Sequence, residues 1–75
     1  MEPNYVIILD FCCGWLNIIH LTEEEVRESE NYEDFESFLC TLEDKYGFRL
    51  QDCQWMVTES LNICRYEIGK EVGHA

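Results

Sequence analysis

A chain of 75 residues suffices for one domain with one core, and its 47% hydrophobic and 13% aromatic content is too apolar for a disordered segment. The 16 acidic residues against 5 basic ones give a net charge of -11. Such a surface repels phosphate, which argues against direct binding of nucleic acid or of an anionic membrane and favours solubility or a basic partner.

The chain opens on "MEPNY", which lacks the basic stretch of a secretory signal. The apolar run from Tyr5 to Leu21 is interrupted by Asp10, Gly14, Asn17 and His20, so it is too short and too polar to span a bilayer. Cysteines number five, an odd count with no export signal beside them. A cytoplasmic chain with reduced thiols is the simplest reading.

Tyr5 to Cys12 is rich in β-branched and aromatic residues and reads as a strand, and Trp15 to Leu21 reads as a second. Cys13-Gly14 between them suits a two-residue turn with glycine in the left-handed position. That turn sets Cys12 opposite Trp15, Asp10 opposite Asn17, Ile8 opposite Ile19 and Val6 opposite Leu21. Ile7, Leu9, Phe11, Leu16 and Ile18 then gather on the other face, which the alternation marks as the core side.

Next, Thr22 with Glu25 three residues on predicts a capping box and a short helix to about Ser29. Glu23, Glu24 and Glu25 would lie in its first turn, where the helix dipole favours anions. The main helix follows: Tyr32, Phe35, Phe38, Leu39, Leu42 and Tyr46 recur at helical spacing and form one apolar stripe. Asn31 is the expected cap, and Gly47 the expected left-handed end. Cys53 to Thr58 and Leu61 to Ile68 alternate as strands, with Glu59-Ser60 as the turn and Met56 facing Ile63. Residues 69–75 read as a frayed tail.

The fold expected is α+β, one domain over 1–75. Two hairpins form a four-stranded antiparallel sheet in ββααββ order, with the main helix packed on one face. The segments "YVIILD", "NIIHLTEEE", "NYEDFESFL", "LEDKYGF" and "DCQWMVTE" resemble a group of small acidic proteins from gut Bacteroides and relatives. The resemblance spans Tyr5 to about Tyr66. It implies a bacterial, intracellular α+β protein and carries over no functional residue.

No constellation in the sequence points to catalysis. Structural zinc sites need cysteine or histidine pairs two to four residues apart, repeated twice, and no C-x-x-C occurs. The vicinal pair Cys12-Cys13 sits at a strand end beside Asp10, an acid that disfavours the thiolate, so a thiol redox role is the lesser reading. His20 is the only internal histidine, and no nucleophile elbow, phosphate loop or H-E-x-x-H motif appears. The expectation is no enzyme, no cofactor and no metal.

Two surfaces remain as candidates. One is the sheet face opposite the helix, with Val6, Ile8, Trp15, Ile19, Leu21, Met56 and Ile63. Exposed apolar surface of that extent marks a protein contact, and a homodimer stacking sheet on sheet would bury it. The other is an acidic surface of Glu23, Glu24, Glu28, Glu33, Asp34 and Glu36, drawn from a run between Glu23 and Asp44 that holds ten acids and one base, Arg27. That charge suits a basic partner. The alternative function is an acidic mimic of nucleic acid that occupies a basic DNA-binding protein.

Overall fold

The structure, a computed structural model, describes residues 2–74. Strands β1 (Tyr5–Asp10) and β2 (Trp15–His20) are followed by helices α1 (Glu23–Ser29), α2 (Phe35–Thr41) and α3 (Glu43–Tyr46). A 3-10 turn at Leu50–Asp52 leads into β3 (Cys53–Thr58), then β4 (Cys64–Glu67) and β5 (Lys70–His74). The α+β class holds, but the strands form two sheets rather than one. β1 is the centre of an antiparallel β2-β1-β3 sheet, and β4 pairs only with β5.

The pairing corrects the expected partners. Val57 faces Val6, and Met56 faces Ile7 rather than Ile63, because β3 docks on β1. The segment predicted to return against β3 instead folds on itself about Ile68 and Gly69. These adopt φ of 53° and 75°, the positive-φ pair of a tight two-residue turn. Residues 70–74, read from the sequence as frayed, are thereby paired as β5, and Ala75 lies outside the described residues. The β4–β5 hairpin makes no more than incidental contact with other elements.

The first hairpin is offset by two residues from the expected register. Asp10 pairs Trp15, Ile8 pairs Asn17 and Val6 pairs Ile19. The loop is therefore Phe11 to Gly14 rather than Cys13-Gly14. Asp10 explains the longer loop. Its Oδ1 accepts the Cys12 N–H at 3.0 Å, and its carbonyl accepts the Gly14 N–H at 2.9 Å. An aspartate that caps its own turn in this way competes with continuation of the ladder. Gly14 closes the loop at φ 67°, where a side chain would be strained.

The capping box of α1 is present: Thr22 accepts the Glu25 N–H at 3.1 Å, and Glu25 accepts the Thr22 N–H at 2.9 Å. The main helix starts later than expected. Asp34, not Asn31, is the cap, its Oδ1 accepting the Ser37 N–H at 2.8 Å. The helix also tightens at Leu42, whose N–H donates to the carbonyl of Leu39, and resumes as α3. Gly47 ends it in the left-handed conformation, as predicted, at φ 72°.

The apolar stripe packs as its spacing implies. Phe38 and Leu39 are fully buried together with Val6 and Ile8, and Leu42, Phe48, Leu50, Ile19 and Leu21 complete the core. Each such side chain contributes about 1.5–3 kcal/mol by burial. Phe35 stacks at a tilt on Trp55, 6.0 Å between ring centroids, which fixes β3 beneath α2.

Candidate interaction surface

This packing inverts the two faces of the first sheet. Val6, Ile8, Ile19 and Leu21, expected on the open face, lie at 6% exposure or less beneath the helices. They are core residues and present no contact surface. Both faces of β1 and β2 are apolar, so alternation alone could not say which one the helices cover. The polar residues of β3 decide it: Gln54 and Thr58 point away from the helices, and Trp55 and Val57 point into them.

The open face is therefore built from the opposite set. β1 contributes Tyr5, Ile7 and Leu9; β2 contributes His20, Ile18 and Leu16 directly across from them. β3 contributes Thr58, Met56 and Gln54 on the other side of β1. Ile7 is nearly covered by its cross-strand neighbours Ile18 and Met56, whereas Leu9, Leu16, Ile18 and Met56 are 40–57% exposed. At one end Tyr5 and His20 stack, with ring centroids 4.4 Å apart and planes 19° from parallel. Beyond the other end lies the loop, where Phe11 is about two-thirds exposed. None of these nine strand residues is Asp, Glu, Lys or Arg, in a chain of net charge -11.

Of the expected contact residues, Met56 belongs to this outer face; Trp15, paired with Asp10, lies on the side of Ile8 and Ile19, with its ring exposed at the strand end. Ile63 is half-buried in the link between β3 and β4, away from Met56. Leu9, Leu16 and Ile18 were missed because their regular alternation reads equally well as core.

The acidic candidates Glu23, Glu24, Glu28, Glu33, Asp34 and Glu36 are all exposed, and Asp34 is engaged as the cap of α2. Two other acids of the same run are structural. Glu43 accepts the Leu50 N–H at 2.7 Å and positions the 3-10 turn. Glu25 is buried, and its Oε2 accepts from Lys45 Nζ at 3.0 Å and from the Tyr46 hydroxyl at 2.8 Å. Burial pushes its carboxyl up. The donors on Thr22, Lys45 and Tyr46 outweigh that and hold it below the ordinary carboxylate value.

Among the described residues, no three His, Cys, Asp or Glu side chains converge as a metal ion requires. All five cysteines are free, with Cys12, Cys13, Cys40 and Cys64 exposed. Cys12 and Cys13 border a shallow hollow that also holds Asp10, Glu43, Asp44 and Asp52, with Arg49 among them. Cys53, half-buried at the base of β3, is pushed up by burial, then by Asp10 and Asp52. No helix among the described residues is long and apolar enough to cross a membrane. Comparison with family models, with curated proteins and with solved structures finds no match.

Proposed function

We propose that this chain is a small, acidic, non-enzymatic interaction protein of the bacterial cytoplasm, acting by contact of its outer sheet face with protein. The observation that carries the reading is the uncharged, apolar strip of Leu9, Leu16, Ile18 and Met56. An antiparallel sheet that simply faces water places polar residues there. Here β1 and β2 place aliphatic ones, and contiguous exposed apolar surface marks an interaction site on small proteins. The helical side remains a charged surface that keeps the molecule apart from nucleic acid and steers encounters.

A photo-reactive amino acid placed at position 16, 56 or 36 in cells tests this directly. Cross-links to protein from positions 16 and 56, and none from 36, are the expected result. Cross-links confined to position 36 would replace it with a basic partner on the acidic side, the nucleic-acid mimic included. Absence of cross-links from all three positions overturns it.

A further inference from the structure

We propose that the occupant of the outer sheet face is a second copy of this chain, in a two-fold stack of sheets with both helical layers outward. The inference rests on the reading of that face as a contact surface and names its partner.

Charge placement supports self-pairing. The acidic residues of α1 and α2 lie on the far side of the sheet from Leu16, Ile18 and Met56. Stacked sheets lie about 10 Å apart, and a helical layer adds a similar thickness on each side. The two acidic layers of such a dimer are then separated by about 30 Å, nearly four Debye lengths of about 8 Å at physiological ionic strength. Two chains of charge -11 can therefore meet on this face with their repulsion largely screened, and on no helical face. A basic partner, by contrast, gains nothing electrostatically from a face without carboxylates.

Surface area supports it too. The molecule exposes 5685 Å² at 9.0 kDa. A compact monomer of that mass exposes about 4,900 Å². The surplus of about 800 Å² is an upper bound on what the sheet face offers, against about 800 Å² per partner in an interface of standard size. The projecting β4–β5 hairpin and the uncovered sheet face with Phe11 at its end share it. A contact this small belongs at the weak end, with dissociation in the range of roughly 1–100 µM. The face is also self-complementary in kind: aliphatic strip against aliphatic strip, with the Tyr5–His20 ring pair at one end and the aromatic loop at the other.

The test is sedimentation of the purified full chain from about 5 to about 500 µM, at about 0.02 M and about 0.5 M salt. The mass rises toward two chains with concentration, and does so earlier at the higher salt. The wild-type Met56 methyl resonance shifts over the same range. Leu16→Glu places two carboxylates in the contact by symmetry and weakens it by roughly 100-fold or more, without changing the circular dichroism. A wild-type chain that stays monomeric at both salts overturns the proposal, as does a dimer that survives both Leu16→Glu and Ile18→Glu. Should Leu16→Glu fail to fold, the Met56 methyl decides alone, and an unmoved resonance overturns the proposal. A monomer whose position 16 still cross-links to a different protein in cells overturns self-pairing and leaves the contact reading standing.

Discussion

Tyr46 donates its hydroxyl hydrogen to the Oε2 of Glu25 across 2.8 Å, joining the last turn of the helical segment to the first turn of α1. The same carboxylate closes the capping box of α1 through its other oxygen. One buried glutamate thus fixes both where α1 begins and where α3 sits. Tyr46→Phe removes one hydrogen bond and is expected to cost about 1 kcal/mol. Glu25→Ala also loses the cap and is expected to cost about 2 kcal/mol. Urea midpoints of the two variants check the order.

Acid should loosen this joint. The Glu25 carboxyl is held below its ordinary value of 4.5 in the folded chain, so the unfolded chain binds its proton first as pH falls. The stabilisation is fully present above the unfolded value and is lost as pH drops through the folded one. Unfolding midpoints measured from pH 7 down to pH 3 should fall below about pH 4.5, and Glu25→Gln should flatten that fall. An unchanged acid limb in Glu25→Gln would assign the loss to other carboxylates.

The inverted faces give a sharp contrast between neighbours on paired strands. Ile8→Ala opens a cavity under α2 and is expected to cost about 2–5 kcal/mol, enough to unfold a marginal domain. Leu16→Gln alters the open face and is expected to change monomer stability by no more than about 0.5 kcal/mol. Thermal melts of dilute protein separate the two outcomes, and a severe loss in Leu16→Gln with a mild one in Ile8→Ala would restore the opposite assignment.

Thiol labelling should proceed in two phases. Cys12, Cys13, Cys40 and Cys64 are exposed and should react first with an aromatic disulfide. Cys53 should lag. Burial, then Asp10 and Asp52, push its thiol up, and its Sγ–H donates to the Arg49 carbonyl at 3.1 Å. Mass spectrometry at partial labelling identifies the last site, and early labelling of Cys53 would show the base of β3 to be open.

Gly14 closes the first loop in a conformation that costs a side chain about 1–2 kcal/mol. No atom lies within 4 Å of an added Cβ, so the whole cost of Gly14→Ala is conformational. Gly14→Asn should recover part of it, because asparagine tolerates the left-handed region. Equal stability of the alanine and glycine forms would show that the loop relaxes instead.

Local signals were legible in the sequence where they depend on neighbours a few residues apart. The capping box of Thr22 and Glu25, the apolar stripe of Phe38, Leu39 and Leu42, and the left-handed end at Gly47 all appear where expected. The register of the first hairpin was displaced because Cys13-Gly14 looks like a turn by itself, whereas Asp10 caps a longer one. The displacement is two residues, so every side chain kept its face. What the hairpin could not reveal is which face the helices cover, since Val6 and Ile8 are no more apolar than Ile7 and Leu9. That information sits in β3, in the contrast of Trp55 and Val57 with Gln54 and Thr58. It becomes readable only once β3 is known to pair with β1 rather than with the strand that follows it.

That central place of β1 constrains the order of events as the chain is made. Its partner β2 follows after one short loop, whereas its other partner pairs Tyr5 with Thr58 and Asp10 with Cys53, beyond all three helices. Until β3 is made, β1 has one bare edge and no finished helical cover, because Phe35 and Phe38 close on a sheet that still lacks Trp55. The long closure that brings β3 home is the slow, non-local step. Core formation then waits for β3, and a ribosome-bound fragment ending before Cys53 should display its aliphatic strands to whatever chaperone meets it.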